Sequence, residues 1–196
     1  MSSTNRGSER RELDAYNTPD EVAERLVRAL WFERGAVVLE PHAGGGAFVR
    51  ALRQRDVIVY ANDIAETGGA SWIDPARCSL GDFLDLQIGQ FELIRALDWI
   101  VGNPPFTDAE AHIRHALTLA PNVAFLLRLA MLESARRRAL WAETPLADVF
   151  VLPERPSFTG GTTDSAAYAW FVWRRGHVGP WRGHWLPAPS PTPDRS

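Results

Sequence analysis

From Thr18 onward, short apolar runs alternate with stretches whose apolar residues recur at helical spacing. Thr18-Pro19-Asp20-Glu21 predicts a helix start: the threonine caps, the proline takes the first helical position and the glutamate reaches back to the cap. Val22, Leu26, Ala29 and Leu30 then form one apolar stripe, with Glu24, Arg25 and Arg28 facing away. The run 35–40 predicts a buried strand ending on Glu40, followed by a glycine turn, Pro41 to Gly46, and a helix from Ala47 to Gln54 with Phe48, Ala51 and Leu52 inward. Val57 to Ala61 is a second, β-branched strand ending at Asn62-Asp63. Trp99-Ile100-Val101 is the next, closed by Gly102-Asn103-Pro104-Pro105-Phe106. Thr107-Asp108-Ala109-Glu110 reads as a second capping box, opening a helix to Leu119. Asn122 to Leu127 predicts a strand and Glu133 to Glu143 a helix. Val149 to Leu152 and Ala167 to Trp173 are two further strands, joined through the glycine-rich stretch from Phe158 to Ser165.

Strands alternating with helices predict an α/β fold built on a parallel sheet. Two closing strands with no helix between them predict an antiparallel hairpin at one edge. Three zones follow: a flexible solvated arm over 1–15, one domain over 16–178, and an extended tail over 179–196, which holds five prolines. The length of 196 residues fits one domain. With 45% hydrophobic and 23% charged residues, the composition is that of a globular chain and excludes disorder and coiled coil. No apolar run approaches the roughly 20 residues of a membrane span. The polar start and the single cysteine, Cys78, point to a reducing cytoplasm.

In open α/β sheets, ligands sit outside the carboxyl ends of the strands. Glu40 to Gly46, Asp63, Asp82 and Asn103 to Phe106 all follow apolar runs and fall there. The glycine turn has two readings: a backbone cradle for a cofactor, or a tight strand–helix connection. Asp63 lies close to the roughly 20 residues beyond the turn at which a nucleotide fold places its ribose-binding acid. GxxxxGK[ST] is absent, which excludes a Walker-type phosphate loop. Asn103-Pro104-Pro105-Phe106 is more specific. Paired prolines stiffen the chain and leave carbonyls with no intrachain partner. With the Asn103 side-chain carbonyl and the Phe106 ring beside them, they can grip a planar amino group by two acceptors and a stacking surface. His112 and His115, three apart on a helix, read as a solvated face in preference to a metal site. Arg136-Arg137-Arg138 reads as a solvated helix end or a phosphate contact. Trp181 and Trp185, beside Arg182, read as packing of the tail onto the body in preference to base stacking.

These segments resemble, in order, the S-adenosylmethionine-dependent amino-group methyltransferases, in particular the gamma-type DNA adenine-N6 enzymes, whose hallmark is a D/N/S-P-P-Y/F/W tetrapeptide. Asn17-Thr18-Pro19 is similar to their N-terminal cofactor segment, and Glu40-Pro41-His42-Ala43-Gly44-Gly45-Gly46-Ala47-Phe48 to their glycine motif. Asn62-Asp63 matches their ribose-binding acid and Gly81-Asp82-Phe83-Leu84 the segment that meets the cofactor adenine. The resemblance implies a Rossmann-like class I methyltransferase fold: a mostly parallel seven-stranded sheet with an antiparallel C-terminal hairpin and helices on both faces. It implies S-adenosylmethionine as cofactor, bound by Thr18, Pro19, Glu40, Pro41, Gly44, Gly46, Asp63, Asp82 and Phe83. It implies catalysis by Asn103, Pro104, Pro105 and Phe106 without a metal, and a second aromatic, Phe158, against the target. DNA is the favoured substrate. RNA adenine and protein glutamine are alternatives, and a non-catalytic cofactor-binding subunit is the alternative of another class.

All 21 basic residues are arginine, and the net charge is -3, so any nucleic-acid contact must be a local patch. The core takes up nearly the whole chain, and Ala65 to Arg77 is too short for a target-recognition domain. Either target choice falls to short loops, a partner subunit or a second copy, or the substrate is not duplex DNA.

Overall fold

Eight strands form one sheet in the order β3-β2-β1-β4-β5-β7-β6-β8. The structure, a computed structural model, describes residues 17–65, 74–90, 96–158 and 165–187. The strands are β1 (Ala36–Glu40), β2 (Val57–Asp63), β3 (Cys78–Leu80), β4 (Trp99–Gly102), β5 (Asn122–Arg128), β6 (Leu146–Val151), β7 (Tyr168–Arg174) and β8 (Arg182–Trp185). β3, β2, β1, β4 and β5 run parallel. β7 is antiparallel to both β5 and β6, which gives the expected hairpin. The helices are α1 (Asp20–Ala29), α2 (Ala47–Arg53), α3 (Ala109–Leu119) and α4 (Arg138–Glu143).

Strands buried on both faces read as continuous apolar runs, and here the two faces feed two separate cores. On one face Val38, Val59, Val101, Leu126 and Trp170 pack with Val22 and Leu26 of α1 and Phe48 and Leu52 of α2. On the other, Leu39, Ile100, Phe125 and Phe171 pack with Ile113 and Ala116 of α3 and Leu140 of α4. The helix after β1 thus covers one face and the helix after β4 the other. Since β1 and β4 are neighbours, a crevice opens between their carboxyl ends.

Four expectations change. The sheet has eight strands, not seven. The eighth, β8, lies in the stretch expected to run as an extended tail, and pairs parallel with β6 through Asp148↔Arg182 to Val151↔Trp185. Neither predicted capping box forms: α1 begins after Pro19 and α3 after Asp108 with no side-chain cap hydrogen bond at either. The segment from Glu133 to Glu143 splits into a 3-10 turn, Ala135–Arg137, and the short α4. The arm over 1–15, most of the glycine-rich stretch after Phe158, and residues 188–196 of the tail lie outside the described residues. Among the described residues, no helix is long and apolar enough to cross a membrane.

β8 has the polar sequence Arg-Gly-His-Trp and owes its place to a buried acid. Asp148 of β6 accepts hydrogen bonds from Arg182 Nε at 3.0 Å and His184 Nε2 at 2.9 Å, with Arg174 at 3.6 Å. Trp181 and Trp185, expected to pack onto the body, are instead 44% and 74% exposed. Burial pushes the Asp148 carboxyl up, but the bonds from His184 and Arg182 and the charges of Arg182 and Arg174 outweigh it, and the group titrates below its ordinary value. A carboxylate with a lowered folded value stabilises above its ordinary pKa and loses that contribution as pH falls through the folded value. Asp148→Asn is expected to cost about 1–2 kcal/mol, the low end for charged hydrogen bonds because both arginines are partly in water. Thermal melts at pH 7 should show a drop of about 3–6 °C, and the gap to wild type should close below pH 4. An unchanged melting temperature at pH 7 would exclude Asp148 as the anchor of β8.

Candidate active site

The carboxyl ends of β1, β2 and β4 bring together residues far apart in sequence. β1 ends on Glu40, which is fully buried, and its Oε1 accepts the His42 backbone N–H at 2.8 Å. Glu40 reaches under β4: a Cβ placed on Gly102 would overlap the Glu40 carboxyl, which would have to shift to make room. Burial, more than the nearby Asp63, pushes the Glu40 carboxyl well above its ordinary value despite the His42 bond. Its Oε2 is buried and, among the described residues, has no hydrogen-bond partner.

The turn from Pro41 to Gly46 is shaped by two left-handed glycines, Gly44 (φ 47°) and Gly46 (φ 83°), the second immediately before α2. Asp63 holds it from β2: Oδ2 accepts the Gly44 N–H at 2.6 Å and Oδ1 the Ala65 N–H at 3.2 Å. Asn17 holds it from the other side, accepting the Gly45 N–H at 3.2 Å. Beneath it, buried Asn62 donates to the carbonyls of Pro41 (3.2 Å) and Gly81 (3.0 Å) and accepts from Ser79 Oγ (2.7 Å). One amide thus ties the ends of β1, β2 and β3 together.

Asn103 follows β4 directly, and its Nδ2 lies 3.2 Å from Thr18 Oγ1. The threonine hydroxyl expected to cap α1 points at Asn103 instead. Pro104 is buried and Pro105 exposed. The Phe106 ring meets Tyr168 of β7 at 5.6 Å, and the Arg128 guanidinium at the end of β5 sits 4.8 Å from its centroid. Phe158 is buried, edge-on to the same Tyr168 at 4.9 Å. Tyr168 therefore links the tetrapeptide to Phe158, a role that its position as first residue of an apolar strand does not reveal.

Asp82 accepts the Leu84 N–H at 2.9 Å and opens the turn Phe83–Asp85. The Phe83 ring is 2% exposed and packs on His42, His112 and His115 at 5.3, 5.7 and 4.9 Å. Here the expectation of a solvated histidine face fails. His112 is buried, with its Nδ1 2.9 Å from His42 Nε2, and His115 Nε2 donates to the Leu86 carbonyl at 3.1 Å. The face is polar in sequence but turned inward, because His112 finds its partner in the glycine turn. Arg136 and Arg138 are exposed, as a solvated helix end requires.

The structure thus gathers Thr18, Glu40, Gly44, Asp63 and Asn103 around one crevice. Pro19 precedes α1 beside Thr18, and Pro41 and Gly46 flank the turn. Asp82 and Phe83 lie at the end of β3, with Phe83 as floor. Phe158 packs on the same Tyr168 ring as Phe106. The site offers one buried carboxyl, Glu40, a half-buried carboxylate, Asp63, a backbone cradle and a polar amide at the end of a central strand.

No family model matches the sequence. Solved structures do match in backbone. One is a protein from Listeria monocytogenes assigned as a class I S-adenosylmethionine-dependent methyltransferase: TM-score 0.62, 15% identity, covering 88% of this chain and 66% of that one. A second, from Pyrococcus horikoshii and assigned as an RNA methyltransferase, has a TM-score of 0.62 at 14% identity, covering 82% and 87%. A third is the modification subunit of a type I restriction enzyme assigned in Vibrio vulnificus YJ016, at 0.64 and 17%, covering 90% and 48%. The fold is that of the class I methyltransferases. This chain spans about two thirds of the Listeria protein and about half of the Vibrio subunit. In methyltransferase terms β8 is an addition beyond the seven strands expected, and it lies at the edge far from the glycine turn.

The histidine pair in this methyltransferase fold makes stability depend on pH. Burial holds both imidazoles below their ordinary value, well below for His42. The neighbouring His112 lowers His42 further, while Asp82 and Asp108 oppose the shift at His112. A histidine with a lowered folded pKa stabilises fully above its unfolded value of about 6.5 and loses that contribution as pH falls below it. Glu40, shifted upward, runs the other way: its contribution is full below its ordinary value and is lost as pH rises through the folded one. The histidine part is therefore read as a difference between proteins. Between pH 7.5 and 5.5 the melting temperature of His112→Gln should fall less, or rise more, than that of wild type. Parallel slopes would rule the pair out.

Proposed function

We propose that this chain transfers a methyl group from S-adenosylmethionine to an exocyclic amino nitrogen, adenine N6 in DNA before other targets. One observation carries the reading: Asn103-Pro104-Pro105-Phe106 leaves the carboxyl end of β4 in the crevice shared with the glycine turn, and Asn103 is hydrogen-bonded there to Thr18.

The residues present fit the cofactor. The buried, unpartnered Glu40 Oε2 is a polar atom that needs a partner. Gly44 and Gly46 leave a cradle without side chains, and the Asp63 carboxylate is already oriented by the turn. A carboxylate takes roughly four hydrogen bonds, so Asp63 can accept ribose hydroxyls in addition to its two backbone donors. Thr18, Pro19, Glu40, Pro41, Gly44 and Gly46 would line the methionine and ribose part, and Asp82, with Phe83 beneath, the adenine. When bound, S-adenosylmethionine supplies an electrophilic methyl on a sulfonium.

Asn103 Oδ1 and the Pro104 carbonyl accept the two hydrogens of the target amino group, which fixes its plane and raises electron density on nitrogen. This is catalysis by position and electrostatics, with no covalent intermediate. Phe106 stacks on the target ring, and Arg128 beside it brings positive charge toward the phosphates. Phe158, which shares the Tyr168 contact with Phe106, is the second aromatic against the target. A base in a duplex must leave its stack to enter such a crevice. RNA is the second reading, favoured by the Pyrococcus structure, of which this chain covers 87%. Target choice then falls to a partner subunit or a second copy, consistent with a match to a protein that is itself a modification subunit.

The test is calorimetry with S-adenosylmethionine, then tritiated methyl transfer to unmethylated genomic DNA, total RNA and a protein pool, with nucleoside digestion and mass spectrometry. N6-methyladenine in DNA is the expected product. N4-methylcytosine would move the target base, label in RNA or in protein would move the substrate class, and binding without transfer would make the chain a non-catalytic subunit. Asn103→Ala should leave cofactor affinity within about twofold and lower kcat by about 10²-fold or more, the range for removing a preorganised polar group. Wild-type turnover in that variant would end the assignment. Asp63→Ala should weaken cofactor binding about 10–100-fold, the loss of one or two charged hydrogen bonds.

A further inference from the structure

We infer that Thr18 is a positioning residue for the reaction: its hydroxyl takes the Asn103 side-chain nitrogen and thereby turns the Asn103 carbonyl toward the target amino group. The inference rests on the methyl-transfer reading and deepens it. An asparagine side chain is nearly symmetric in shape, and only its hydrogen-bond partners decide which end is oxygen. Turned over, it would offer an N–H to the target amino group, and donor would face donor. A hydroxyl can donate as well as accept, so the Thr18 bond fixes where the Asn103 side chain lies, and with Nδ2 bonded there it is Oδ1 that is presented to the target amino group.

The geometry around the bond is unusually fixed. Asn103 Nδ2 to Thr18 Oγ1 is 3.2 Å, partly buried, and spans 85 residues of sequence. Both partners immediately precede a proline, Thr18-Pro19 and Asn103-Pro104, and a residue before proline is confined to extended backbone. Threonine is also stiff at χ1. On one side, Pro19 leads into α1, whose Val22, Ala23, Leu26 and Val27 are buried in the core. On the other, Asn103 follows β4, which is buried along its whole length. Asn17, one residue back, accepts from Gly45, so the same short segment is pinned to the glycine turn. Thr18 caps nothing: α1 has no side-chain cap hydrogen bond. Its hydroxyl is committed to Asn103.

Two substitutions separate the hydroxyl from the shape of the side chain. Thr18→Val keeps the shape and removes the hydroxyl; Thr18→Ser keeps the hydroxyl. With unmethylated genomic DNA and tritiated S-adenosylmethionine, Thr18→Val should lose about tenfold in kcat, about the effect of one hydrogen bond. Its melting temperature should stay close to wild type, and Thr18→Ser should recover most of the rate. A second measurement does not depend on activity. The Asn103 side-chain amide signals, assigned in a ¹⁵N-labelled sample by their disappearance in Asn103→Asp, should shift and broaden in Thr18→Val and keep their positions in Thr18→Ser. Unchanged Asn103 amide signals in Thr18→Val would overturn the inference, as would an unchanged or increased kcat. If wild type methylates none of the pools, or Asn103→Ala retains full transfer, the methyl-transfer reading fails. The amide signals still decide whether Thr18 orients Asn103.

Discussion

The pairing of β1 with β4 is the constraint on which the site depends. Val38 sits opposite Trp99 and Leu39 opposite Ile100, so Glu40 and Gly102 end side by side. The chain then leaves these two neighbours in opposite directions, α2 to one face and α3 to the other. No helix can cover the ends of both strands, and the crevice stays open by topology. The same adjacency explains Gly102, since a Cβ there would strike the Glu40 carboxylate. It also brings a loop bearing carbonyl acceptors next to a loop bearing backbone N–H donors, with the helices drawn away from both.

Within that crevice, polar side chains do the joining that the sheet cannot. Backbone pairing stops where the strands stop, yet the loops beyond must hold their shape. Asn62 bonds to the carbonyls of Pro41 and Gly81, Asp63 to the N–H of Gly44, Asn17 to that of Gly45, and His112 to His42. Each is a short side chain near the end of a rigid element, and each holds a loop that has few apolar contacts of its own. The same logic governs the far edge, where Asp148 secures β8 by charge and hydrogen bonds. Buried polar groups need partners, so Asn62, His112 and Asp148 fix geometry more strictly than apolar packing would.

Much of this was legible in the residues. The runs at Val37–Leu39, Val57–Ala61 and Ile100–Val101 mark strands buried on both faces, and the turn glycines and the Asn-Pro-Pro-Phe tetrapeptide mark the ends that matter. What escaped sequence reading depends on contacts made only in three dimensions. Cys78–Leu80 is three residues of mixed polarity and joins the sheet because Asn62 and Asp63 draw its end toward β2. Arg182–Trp185 carries no apolar alternation, and its anchor lies 34 residues earlier in Asp148. His112 reads as solvated because nothing in its own helix announces His42, 70 residues away. Trp181, just before β8, and Trp185, its last residue, are core residue types, yet at this edge of the sheet both stay exposed.

The helix start that sequence reading placed at Thr18 shows the balance between local rule and site. A threonine cap contributes about 1 kcal/mol to a helix, and α1 forgoes it. The loss is softened in place: Pro19 at the cap has no N–H to satisfy, Asp20 and Glu21 put negative charge at the positive end of the helix, and Arg25 bonds to Glu154 and to the Pro187 carbonyl. Most of the helix's stability comes from its buried face, Val22, Ala23, Leu26 and Val27, which the missing cap does not touch. A helix that packs this well can spare its capping hydroxyl, and the spared hydroxyl is the one that meets Asn103. Local preference fails at this position because α1 already has enough stability from its packing, and the site needs the group more.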